Sequence, residues 1–180
     1  MIDEILEFNK KFVDNEEYKP YISTKYPTKK VAILSCMDTR LTHLLPAALG
    51  VKNGDVKIIK NAGGTISSPF GSVMKSLIVA IYELGVDEVL VIGHYDCGMQ
   101  NIDVEALIEK MENRHISEES LKLLDYCGVN FKEWLSGFDD VEESVLNTTN
   151  QIIEHPLIPK DVKVHGLVMD PTTGALKLLK

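Results

Sequence analysis

Four short apolar runs punctuate this chain, at residues 31–35, 56–59, 88–93 and 162–169. The first and third are rich in Val, Ile and Leu without polar alternation, which suits strands buried on both faces. Helical stretches lie between them. Residues 40–49 read as a helix stopped by Gly50. Residues 72–84 carry an apolar stripe of Leu77, Ile78, Ile81 and Leu84, closed by Gly85. Residues 104–113, 117–124 and 141–154 are further helical segments, the last closed by His155-Pro156. Residues 171–174 form a turn, and residues 175–179 fold back as an edge strand. Strands alternating with helices predict an α/β fold. Its sheet is mostly parallel, in the order 2-1-3-4 plus an antiparallel C-terminal edge strand, with helices on both faces. In such a sheet a ligand binds beyond the carboxyl ends of the strands, where the winding reverses.

The 180 residues suit one domain with a real core, spanning 1–180 with an N-terminal helical arm over about residues 1–20. Residues 18–30 hold two prolines and read as an extended connector. Nineteen Lys and Arg stand against 27 Asp and Glu, a net charge of −8, which argues against a nucleic-acid partner. The first eleven residues read as an amphipathic helix whose apolar stripe (Ile2, Ile5, Leu6, Phe8) runs on to Phe12, without the basic-then-apolar order of a signal peptide. No apolar run approaches the roughly 20 residues of a membrane span. The expectation is a soluble, cytoplasmic protein with no membrane partner. Three cysteines cannot make a fully paired disulfide framework.

Position gives two of those cysteines a purpose. Cys36-Met37-Asp38-Thr39-Arg40 follows the first strand, and His94-Tyr95-Asp96-Cys97-Gly98 follows the third. With strands one and three adjacent at the switch point, Cys36, His94 and Cys97 converge. Two thiolates and an imidazole favour zinc over magnesium or calcium, and three protein ligands leave a position open, as in catalytic sites. A lone Cys is more often a small buried hydrophobe. The coincidence of both motifs at carboxyl ends, with a carboxylate–guanidinium pair beside one, outweighs that reading. Cys127 has no partner motif and is read as ordinary.

Cys36-Met37-Asp38-Thr39-Arg40-Leu41, Asn61-Ala62-Gly63-Gly64 and Gly93-His94-Tyr95-Asp96-Cys97-Gly98 resemble the signatures of β-class carbonic anhydrases of the short prokaryotic and archaeal type. The resemblance is strong over residues 31–99 and continues weakly into residues 164–170. Lys60 departs from the arginine many members carry before Asn-Ala-Gly-Gly, keeping the charge but losing the planar fork. The resemblance implies one zinc per subunit on Cys36, His94 and Cys97. It implies reversible hydration of CO2 to bicarbonate and a proton by way of zinc-bound hydroxide, and a homodimer or higher homo-oligomer. It assigns Asp38 and Arg40 a catalytic dyad, Asp38 orienting the water and Arg40 holding Asp38, with a second state in which Asp38 binds zinc. Apart from the motif, those two would read as a helix-start acid with a surface ion pair.

Ala62, Gly63 and Gly64 follow the second strand. Their amides either line a substrate slot or simply make a tight loop. Asp96 is either a partner of the ligands or a turn residue, with the turn favoured. Among the other histidines, His43 lies on the helix after the dyad and His115 is expected to be exposed. His155 caps a helix, and His165 is expected as a hydrogen-bonded core residue. None is nominated as a proton shuttle. Three alternatives stand beside the leading one. The same fold and zinc serve hydrolases of carbonyl sulfide and carbon disulfide. A thiol phosphatase would need Cys-x-x-x-x-x-Arg, whereas this chain has Cys-x-x-x-Arg with an acid inside. A non-enzymatic bicarbonate-binding relative is the last.

Overall fold

The computed structural model describes residues 1–180, the side chain of Asp125 apart. Its strands are β1 (Val31–Cys36), β2 (Val56–Asn61), β3 (Glu88–His94), β4 (Lys163–Met169) and β5 (Leu176–Leu178). They form one sheet in the order β2-β1-β3-β4-β5. The first four are parallel, and β5 returns antiparallel to β4. This is the order the strand–helix alternation predicts. The register pairs Ser35 with Ile92 and Cys36 with Asn61, so the ends of β1, β2 and β3 lie side by side.

Helices are α1 (Ile2–Asp14), α2 (Leu41–Ala48), α3 (Ser72–Tyr82), α4 (Val104–Glu112), α5 (Glu118–Tyr126), α6 (Phe131–Leu135) and α7 (Val141–Glu154). On one face α3 and α7 press Met74, Leu77, Val145 and Ile152 against Ala32, Leu34, Val89, Val91 and Val168. On the other, α2 packs Leu41 and Leu45 against Ile33, Ile92 and Met169. Successive strand residues serve opposite layers, which is why the runs in β1 and β3 read as continuous apolar stretches. The α7 helix lies close to the sheet because β3 and β4 present glycine beneath it. A Cβ on Gly93 would stand 2.6 Å from Val145, and one on Gly166 would stand 2.9 Å from Thr149 Oγ1.

Three features depart from the sequence reading. Residues 131–135 form an extra helix, capped by Asn130, whose side chain accepts from the Glu133 N–H. The connector of residues 18–30 holds a 3-10 turn at Lys19–Tyr21. His165 is 36% exposed and faces Glu88 Oε1 at 3.1 Å, instead of sitting in the core. The eight-residue α2 covers the carboxyl half of its face and leaves His165 near the sheet's open half. Helix α1 buries none of its side chains. No helix among the described residues is long and apolar enough to cross a membrane.

Candidate metal centre

Cys36 ends β1 and His94 ends β3. Past His94 the chain reverses through Asp96, at φ 53°, and this returns Cys97 to the same point. The sulfurs of Cys36 and Cys97 are 3.8 Å apart. The two sulfurs and an imidazole nitrogen of His94 all lie within 4.8 Å of one another. The three residues are buried, and both cysteines are free thiols, far from the disulfide distance.

His94 is set up to ligate. Its Nδ1 faces the Tyr95 carbonyl at 2.8 Å, and donation there leaves the Nε2 lone pair for the cluster. Nε2 has no hydrogen-bond partner. Among the described residues it shares that state with one other buried side-chain atom, Ser35 Oγ. An orphaned, fully buried imidazole nitrogen beside two thiols is costly unless a cation accepts its lone pair. The thiols give the same signal. The Cys97 contact draws the Cys36 thiol well below its ordinary range, against the opposing effect of burial and helped by His94 and the amides of Asp38 and Gly63. The same contact pushes Cys97 up, well above the usual thiol range. The pair thus shares one negative charge, and both sulfurs ionise together only around a cation. Two thiolates about 2.3 Å from a tetrahedral zinc stand about 3.8 Å apart, which matches the observed separation. The donor set fits zinc.

Beside the cluster, Arg40 grips Asp38 in a fork. Nε donates to Oδ1 at 3.0 Å and a terminal nitrogen to Oδ2 at 2.8 Å, while the Arg40 amide also donates to Oδ1 at 2.8 Å. Arg40 holds the Asp38 carboxyl down to about 2, against the opposing effect of burial. Asp38 Oδ2 is 3.9 Å from His94 Nε2, so the carboxylate looks onto the cluster while bound to Arg40. Arg40 also donates to Asp96 Oδ2 and to the Asp96 carbonyl, each at 2.8 Å. Asp96 is therefore both a turn residue and an Arg40 partner. Lys60 Nζ donates to the Cys36 carbonyl at 3.1 Å.

Ala62, Gly63 and Gly64 form a 3-10 turn against the end of β1. Ala62 and Gly63 also border a cavity of about 590 Å³, walled further by Met99, Trp134 and Phe138. Phe138 touches both core layers, and no motif announced it. The remaining histidines lie apart from this chemistry. His43 and His115 are exposed. His155 is buried, with Nε2 on the Pro69 carbonyl and Nδ1 accepting from the Leu157 amide. Cys127 is exposed.

A soft three-donor cluster at the switch point of a parallel sheet defines an α/β fold whose donor set suits a zinc ion. The carbonic anhydrase family profile matches residues 31–176. The Bacillus subtilis (strain 168) protein named "Putative carbonic anhydrase YtiB" is 53% identical over 179 residues, 99% of this chain and 96% of its own length. The crystal structure of β-carbonic anhydrase isoform I from Trichomonas vaginalis superposes with a TM-score of 0.88 at 33% identity, covering 99% of this chain and 96% of that one. A carbon disulfide hydrolase of Acidithiobacillus thiooxidans is 27% identical over 157 residues, 83% of this chain and 76% of its own length. The chain belongs to the β-carbonic anhydrase family.

Proposed function

We propose that this chain is a zinc enzyme interconverting CO2 and bicarbonate, with Cys36, His94 and Cys97 as the metal ligands and Asp38 and Arg40 as the catalytic pair. The observation that carries the reading is the buried Cys36–His94–Cys97 cluster with an ionised Asp38 facing it. Zinc held there supplies a Lewis acid that makes water ionise near neutral pH. Asp38 Oδ2 orients a water by accepting its hydrogen bond. Its carboxyl is held too low to keep a proton near neutral pH, so it positions rather than stores. Arg40, fixed between Asp38 and Asp96, keeps that carboxylate aimed at the ligand atoms. The turn at Ala62, Gly63 and Gly64 borders the substrate's approach from the neighbouring cavity.

The single domain of residues 1–180 acts in the cytoplasm, where its thiols stay reduced. It works as a homodimer or larger homo-oligomer, with the bare α1 arm on a second copy. The similarity to carbon disulfide hydrolases supports a second reading, in which the same centre hydrolyses carbon disulfide or carbonyl sulfide. Stopped-flow CO2 hydration, run beside sulfide release from both sulfur substrates and a zinc assay, decides between them. Rapid hydration with one zinc per chain is expected. Sulfide release without hydration establishes the second reading.

A further inference from the structure

The turn after β2 is built against the first metal ligand, and Asn61 holds it there. Asn61 lies opposite Cys36 in the sheet register, and its carbonyl accepts from the Met37 amide at 2.9 Å. Its side-chain amide is spent entirely on the backbone of Thr65. Nδ2 donates to the Thr65 carbonyl at 2.7 Å, and Oδ1 accepts from the Thr65 N–H at 3.2 Å. This closes a ring around Ala62, Gly63 and Gly64. Both glycines have positive φ, 79° and 66°, a region costly for other residues. A Cβ on Gly64 would come within 3.0 Å of the Cys36 nitrogen and the Ser35 carbonyl carbon, backbone atoms that cannot step aside. The turn therefore packs directly on the peptide that carries Cys36.

We propose that Asn61 is a positioning residue for the metal: its side chain clamps the Ala62–Gly64 turn against the peptide of Cys36, and this fixes where the Cys36 sulfur stands. Asn61-Ala62-Gly63-Gly64 then serves the metal ligand first and the substrate's approach second.

The inference rests on Cys36 being a metal ligand, and the test separates the two. Full-length wild type, Asn61→Ala and Asn61→Asp are loaded with zinc for chelator competition, and with cobalt(II) to read the thiolate-to-metal charge-transfer band. Asn61→Asp keeps the acceptor for the Thr65 amide and loses the donor, so it reports even where Asn61→Ala fails to fold. The expected result is a loss of zinc affinity of about 10–100-fold in Asn61→Ala and less in Asn61→Asp. The cobalt band shifts from its wild-type wavelength as the sulfur leaves the place the turn fixes. A band at the wild-type wavelength in a folded variant, with or without lost affinity, overturns the clamp, because a merely loosened fold gives that pattern. A wild-type chain that takes up neither metal overturns the ligand assignment instead.

Discussion

Cys97 and Asp38 share one small site, yet they are expected to fail differently when replaced. Cys97 gives one of two sulfurs to the three-donor cluster, and a serine hydroxyl is a far harder donor. Cys97→Ser is expected to lose stoichiometric zinc, measured by elemental analysis of the purified chain. Asp38 lies outside the cluster, so Asp38→Ala is expected to retain zinc while CO2 hydration falls on the order of 100-fold, the cost of a misplaced reactant. Full activity in that variant removes Asp38 from the reaction. Asp38 also has an acid signature. Arg40 lowers its carboxyl from 3.8 to about 2 in the folded chain. Its contribution to stability is therefore complete above about pH 4 and disappears as pH falls through 2. The difference in urea midpoint between wild type and Asp38→Asn is expected to be constant above pH 4 and to shrink below it. Arg40 is 40% exposed, so solvent keeps the effect small. The convergence of Cys36, His94 and Cys97 and the Asp38–Arg40 contact were legible in the sequence because each motif follows a strand whose end could be read. The Asp96–Arg40 bonds were not, because they depend on one left-handed residue and a partner 56 positions away. Phe138 was equally hidden: a lone aromatic in a polar stretch carries no spacing signal.

At the scale of elements, strands buried on both faces and long helices announced themselves, as did the short exposed β5 through the turn before it, while α6 and the 3-10 turn at Lys19–Tyr21 did not. Helix α7 was expected over residues 141–154 and occupies Val141–Glu154. Helix α6 has five residues, none of them buried, and no apolar stripe to mark it. His165 was misplaced because strand alternation says which face a residue takes, not how far a helix extends over that face. The α7–sheet contact gives this scale its own prediction. Gly166→Ala would set a Cβ 2.9 Å from Thr149 Oγ1 and 3.0 Å from Val145 Cγ1, both on α7. The helix must lift or the side chains must shift, at about 1–3 kcal/mol. A lowered melting temperature with zinc content unchanged is the expected outcome, since Gly166 is remote in sequence from Cys36, His94 and Cys97 and lies in the middle of β4. An unaltered melting temperature would show that α7 is not held against the sheet as described.

For the whole molecule, two apolar surfaces stay uncovered and do not cover each other. Helix α1 exposes Ile2, Ile5, Leu6 and Phe8 along its stripe, and the open half of the α2 face exposes Ile58 and Leu178. A monomer would carry both into water, whereas a two-fold pair can bury each against its counterpart on the other copy. Ile5 and Phe8 lie three residues apart on one helical face and add nothing to their own chain's core. The double variant Ile5→Asp, Phe8→Asp is therefore expected to keep the wild-type circular dichroism and zinc content while its sedimentation mass falls to that of one 20.1 kDa chain. Wild type is expected to sediment as a dimer or larger. A wild type that is itself monomeric removes the second copy as the arm's partner. Loss of zinc together with mass would mean that assembly also supports the metal centre. The cavity beside Gly63 and Phe138 would then be the place to look for the contribution of the second chain, because it opens from the ligand turn toward the surface.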